Sequence, residues 1–143
     1  MPSESACFED LVGLSIVIPA LNEQRGIGDT LRQVLQLRER LTGVGVALRQ
    51  LIVVNDGSTD QTADIAASYQ GTMVITHVRT LGYGAALKSG FRAASGDLIG
   101  FLDADGTYPA DQFPFLCRML LEQDADIVVG SRRSGQASRM PVV

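Results

Sequence analysis

The chain has 143 residues, 45% of them hydrophobic and 20% charged, with a formal net charge of −4 at pH 7. That length suits one domain burying about two-thirds of its unfolded surface, and the composition excludes a disordered segment. The negative balance argues against a nucleic-acid partner, which needs a clustered positive surface, while two cysteines, Cys7 and Cys117, exclude a disulfide scaffold or zinc cluster and fit a cytoplasmic setting.

Residues 1–13 carry Glu4, Glu9 and Asp10 and no basic residue. They lack the charged start of a secretory signal and are expected to form a flexible tail. No run approaches the ~20 apolar residues that span a bilayer. The first apolar run, 14–18, opens a series of five that continues at 51–54, 73–78, 98–102 and 127–129, each rich in β-branched residues. Near-continuous apolar runs suit strands buried on both faces of a parallel sheet.

Between the first two runs, Ile27, Leu31, Val34, Leu35 and Leu41 fall on one stripe, which predicts an amphipathic helix. Ser58 and Gln61 have capping-box spacing, so a second helix is expected to start at Ser58. A third is expected over 84–94 and a fourth over 111–122. Strand and helix alternating in this way predict an α/β, Rossmann-like, mostly parallel sheet with helices on both faces. Ligands of such sheets bind beyond the carboxyl ends of the strands.

Those ends are acidic. Pro19-Ala20-Leu21-Asn22-Glu23 follows the first strand, Asn55-Asp56-Gly57-Ser58-Thr59-Asp60 the second, and Asp103-Ala104-Asp105-Gly106-Thr107 the fourth. Helix capping accounts for Ser58, Thr59 and Asp60. It accounts poorly for Asp56, which precedes the glycine and the expected cap, and whose carboxylate suits the ring N–H of a base. Glu23 is either a first-turn charge complementing a helix dipole or a group lining a nucleotide pocket.

Asp103 and Asp105 stand two apart in an extended segment, so both carboxylates can face one ion while Ala104 faces away. Two hard oxygen donors suit Mg²⁺ or Mn²⁺, completed by ligand phosphates and water. The loop Leu81-Gly82-Tyr83-Gly84-Ala85-Ala86-Leu87-Lys88 matches neither a dinucleotide fingerprint nor a P-loop. Tyr83 is expected in the core, with the pocket wall as the alternative, and His77 is expected to be a strand residue with no catalytic duty. Arg132, where the fifth run leaves the sheet, is expected to reach phosphate oxygens.

Taken together, SIVIPALNE, LIVVNDGSTDQT, LGYGAALKSGFRAASGDLIGFLDADGTYP and DIVVGSRR resemble the successive motifs of family 2 glycosyltransferases, in the polyprenyl-phosphate sugar transferase group typified by dolichol-phosphate mannose synthase. The resemblance runs from Leu14 to about Arg133. It implies a GT-A nucleotide-sugar transferase fold over residues 14–133, an irregular end at 134–143, and no acceptor-binding half within the chain. It further implies an inverting, metal-dependent transfer from a UDP- or GDP-linked sugar to a polyprenyl phosphate at the cytoplasmic membrane face.

By the same resemblance, Pro19, Leu21, Glu23 and Asp56 hold the nucleotide together with Gly82, Lys88, Asp103 and Ala104. Asp103 and Asp105 are the catalytic and metal-binding carboxylates, and Arg132 lies on the phosphate side. Thr80 stands where the family commonly has Asn, and Thr107 where some members carry Gln. Without the acceptor half, a non-catalytic donor-binding fragment is the alternative function, and exposed apolar surface would favour a homo-oligomer. A phosphatase of the haloacid dehalogenase type also uses an Asp-x-Asp signature, but it needs a downstream lysine and none follows Asp105.

Overall fold

The computed structural model describes residues 10–131. The expectations for the tail at 1–9, for Arg132 and for the end at 134–143 lie outside the described residues.

The first apolar run becomes the middle of the sheet because both sets of its alternating side chains find cover. Leu14, Ile16 and Ile18 face one layer and Val17 the other, all at 2% exposure or less. The strand it forms, β1 (Val12–Ala20), begins two residues before the run expected at 14–18 and takes in the end of the expected tail. Next come α1 (Ile27–Leu35), α2 (Arg38–Thr42), β2 (Val46–Asn55), α3 (Thr62–Ser68), β3 (Thr72–Thr76), α4 (Tyr83–Ala93), β4 (Leu98–Phe101) and α5 (Phe113–Glu122). A 3₁₀ turn at Ala110–Gln112 leads into α5.

The sheet is parallel, with order β3-β2-β1-β4. Its order reverses beside β1, since β2 and β3 lie to one side and β4 to the other. That reversal opens a crevice at the carboxyl ends of β1 and β4.

Helices cover the two faces unequally. The larger core joins Leu14, Ile16 and Ile18 to Leu31 and Val34 of α1, Leu41 of α2, Ala66 of α3 and Cys117 of α5. Burial pushes the Cys117 thiol up to about 11, so it stays protonated and acts as a small apolar group. On the other face α4 packs over Val17, Ile52 and Val54, so closely that a Cβ on Gly90 would lie 2.2 Å from Val17 Cγ1. Ile99 and Phe101, whose register partners are Ser15 and Val17, remain 48% and 53% exposed. Truncating a side chain of the larger core, as in Ile16→Ala, is expected to cost about 2–5 kcal/mol.

Three expectations are corrected. The stripe from Ile27 to Leu41 is two helices, because the chain breaks at Gln36 and Leu37, where Leu37 tucks in at 4% exposure and becomes the cap of α2. The helix expected at Ser58 starts at Thr62, because the Ser58 hydroxyl accepts from the Asn22 amide instead of capping. The run 127–129 forms no strand: Ile127 and Val129 are each 78% exposed and pair with no neighbour among the described residues.

Candidate functional site

The carboxyl ends of β1, β2 and β4 meet at a cleft of about 290 Å³. Two loops form its floor and are stitched together by side chains. The Asn22 amide donates to Ser58 Oγ at 2.9 Å, the Glu23 amide to Thr62 Oγ1 at 2.9 Å, and the Thr59 amide to Asn22 Oδ1 at 2.8 Å. Ser58, Thr59 and Thr62 therefore join the segment after β1 to the segment after β2. Asn22 takes the left-handed φ of 52° that this turn requires, a conformation Asn tolerates better than most residues.

Asp56 is fixed at the back of the cleft, 4% exposed. Its Oδ1 accepts from His77 Nδ1 at 2.8 Å and from the Leu81 amide at 2.9 Å, and its Oδ2 accepts from the Gly82 amide at 2.9 Å. Burial by itself would raise the Asp56 pKa, but the Leu81 amide, His77 and the Gly82 amide outweigh it and hold the carboxyl below its ordinary value. The loop can present those amides because Gly82 adopts φ 106° and Gly57 φ 78°; a Cβ on Gly57 would come within 2.6 Å of the Thr80 nitrogen.

The opposite wall is the turn after β4. Leu102 and Ala104 are buried at 5% and 2%, while Asp103 and Asp105 line the cleft. This alternation is the one expected of an extended pair. The turn is anchored from behind, where the Thr30 hydroxyl of α1 donates to the Ala104 carbonyl at 3.2 Å and Gly26 leaves room for that carbonyl. Asp103 Oδ1 accepts from the Tyr83 hydroxyl at 2.9 Å. Asp105 Oδ1 accepts from the Thr107 amide and hydroxyl at 3.0 and 2.7 Å.

Glu23 faces the same space. Burial raises its pKa, and the nearby charges of Asp105, Asp60 and Asp103 raise it further. Four lining carboxylates, Glu23, Asp56, Asp103 and Asp105, thus surround a cleft that no lysine or arginine lines among the described residues. Such a site favours a cation, or an anion accompanied by one. No group of three His, Cys, Asp or Glu side chains converges as a self-sufficient cage among the described residues. The donor set fits a hard divalent ion that takes two carboxylates and fills its shell from ligand phosphate and water.

Of the other residues singled out in the sequence, Pro19, Leu21, Gly82 and Ala104 line the cleft with these carboxylates. Lys88 does not: it lies on the exposed side of α4. Of the two readings open for Tyr83 the favoured one, core, is corrected to the cleft wall: the side chain is 54% exposed, with its hydroxyl on Asp103. Burial first, then that hydrogen bond and the Asp103 charge, push the Tyr83 phenol up to about 12, so it remains a donor at neutral pH. His77 follows the end of β3 and bridges Asp56 to Ser89, whose Oγ lies 2.7 Å from Nε2. Its position 21 residues after Asp56 gave no local signal, since the pairing depends on the β2–β3 register.

The family model for Glycosyl transferase family 2 matches residues 15–141. A low-salt glycan biosynthesis hexosyltransferase, Agl6, of Haloferax volcanii is 39% identical over 123 residues, covering 86% of this chain and 28% of that protein. An undecaprenyl-phosphate 4-deoxy-4-formamido-L-arabinose transferase of Photorhabdus laumondii is 36% identical, covering 90% of this chain and 39% of its own length. Among solved structures, glucosyl-3-phosphoglycerate synthase from Mycobacterium tuberculosis, in complex with Mn²⁺, UDP and phosphoglyceric acid, superposes with a TM-score of 0.59 at 28% identity, covering 80% of this chain and 39% of that one. The chain therefore spans well under half the length of each. With its motifs in order, its acidic strand ends gathered round one cleft and its sheet shared with solved transferases, the chain belongs to glycosyl transferase family 2 and has the GT-A type of fold.

Proposed function

We propose that this chain is the donor-binding part of an inverting, metal-dependent glycosyltransferase that takes its sugar from a nucleotide-sugar and delivers it to a polyprenyl phosphate. The observation that carries the reading is the ring of four carboxylates at the carboxyl ends of the parallel strands, with no lining basic residue among the described residues. A diphosphate enters such a ring only with its charge compensated. Family membership supports the transfer chemistry, the Mycobacterium tuberculosis structure with Mn²⁺ and UDP supports the metal and a nucleoside diphosphate, and the Photorhabdus laumondii relative supports the polyprenyl phosphate acceptor.

In this reading Asp56 accepts the ring N–H of the base, and its bonds from the 81–82 amides keep it ionised and correctly aimed. Asp103 and Asp105 hold a divalent ion, Mg²⁺ or Mn²⁺, which when bound compensates the charge that develops on the departing diphosphate. Tyr83 fixes the orientation of Asp103, and Thr107 that of Asp105. The acceptor phosphate oxygen attacks the anomeric carbon as the bond to the nucleotide diphosphate breaks, inverting that centre. The oxygen is already ionised, so the step needs no dedicated general base.

A thermal-shift screen of UDP- and GDP-sugars, each with and without Mn²⁺, tests the proposal, because a ligand bound only by the folded state raises its melting temperature. A shift with at least one donor that grows on adding Mn²⁺ is the expected result. No metal-dependent shift with any of them would overturn the reading.

A further inference from the structure

An ionised carboxylate offers about four lone-pair positions, two on each oxygen. On Asp56 three are already taken. Oδ1 is saturated by His77 Nδ1 and the Leu81 amide, whereas Oδ2 receives only the Gly82 amide. His77 is itself held in place: its ring is nearly enclosed, with 10% of the side chain exposed, and Ser89 Oγ sits 2.7 Å from Nε2. Because an ionised carboxylate only accepts, Nδ1 must carry the proton, and Ser89 Oγ completes the hydrogen bonding of the ring at Nε2.

We infer that His77 sets the base preference of this site: by filling Oδ1 it leaves Asp56 a single acceptor position, which suits the lone ring N–H of a uracil-type imide and not the adjacent ring and amino donors of guanine. This inference rests on the donor-site reading above. Guanine presents two parallel N–H groups that a carboxylate satisfies with one free position on each oxygen, and here Oδ1 has none to give. Binding guanine through Oδ2 alone would leave a desolvated amino donor unpaired, whereas the imide edge has one N–H to place and leaves no donor over. His77 touches no ligand in this account. It acts through Asp56 as a positioning residue.

The test is calorimetric titration of the 143-residue chain with UDP and with GDP in the presence of Mn²⁺, repeated on His77→Leu and His77→Asn. The unaltered chain should prefer UDP by roughly tenfold or more, the range of one lost or gained bidentate pairing. His77→Leu frees one position on Oδ1 and should reduce the UDP-to-GDP ratio by at least roughly fivefold. His77→Asn places an amide N–H near the position of Nδ1 and should keep the ratio. If His77→Leu does not fold, the ratio in the unaltered chain and in His77→Asn still decides. GDP bound as tightly as UDP by the unaltered chain would overturn the inference while leaving the donor-site reading intact, as would a His77→Leu that weakens both nucleotides equally. Binding of neither nucleotide would overturn both.

Discussion

The two walls of the cleft are built on opposite principles. At the back, Asp56 is 4% exposed and its oxygens are met by three donors from a loop more than twenty residues away in sequence. At the front, Asp103 and Asp105 are solvated, take their hydrogen bonds from Tyr83 and Thr107, and add their charge to that of Glu23. The back wall has its carboxylate already held by hydrogen bonds within the fold. The front wall keeps unreconciled like charge, which a bound cation relieves. A nucleotide would meet rigid hydrogen-bond geometry at its base and a charge-driven site at its diphosphate.

The largest effect should come from removing the front wall's charge. The double variant Asp103→Asn and Asp105→Asn is expected to lose Mn²⁺-dependent nucleotide binding by more than about a hundredfold in calorimetry, since two hard ligands go together. The same variant should fold normally, because neither side chain is part of the core. Asp56→Asn does the reverse. It leaves buried donors without a full acceptor set, so chemical denaturation should show a stability loss of about 1–3 kcal/mol.

The pH dependence of that loss sharpens the contrast. The folded-state pKa of Asp56 is depressed, so its contribution is present above the unfolded value and is lost as pH falls through the folded one. The stability gap between the unaltered chain and Asp56→Asn should therefore narrow on acidification below about pH 4.

Tyr83→Phe removes the donor that orients Asp103 without touching the charge. Loss of such a supporting hydrogen bond is expected to weaken Mn²⁺ binding by roughly tenfold, with little change in melting temperature. The smallest effect belongs to the stitched loops beneath both walls. Ser58→Ala deletes one exposed bond to the Asn22 amide and should lower stability by about 0.5–1.5 kcal/mol in denaturant titration.

Much of this was legible in the sequence, for physical reasons that also mark where legibility ended. Runs such as 14–18 and 51–54 read as parallel strands because both faces of β1 and β2 are covered. The alternation of Leu102 and Ala104 against Asp103 and Asp105 was readable from period two alone. The run 127–129 has the same composition as a strand, but pairing needs an adjacent strand edge, which composition does not reveal. Ser58 had the chemistry of a cap, and the fold gave its hydroxyl to a backbone amide 36 residues away. Nothing local in the sequence marks the partners of Tyr83 and His77, because Asp103 and Asp56 are brought to them by register and by the glycine-rich turn. Local chemistry thus identified the carboxylates, while tertiary contact decided what surrounds them.

The most direct measurement is the affinity of the chain for UDP, by calorimetry at pH 7, with Mn²⁺ and then with the ion removed by chelation. Mn²⁺ should tighten binding by at least roughly tenfold, and Asp103→Asn with Asp105→Asn should abolish the gain. An affinity for UDP that is indifferent to Mn²⁺ would contradict the metal-dependent reading.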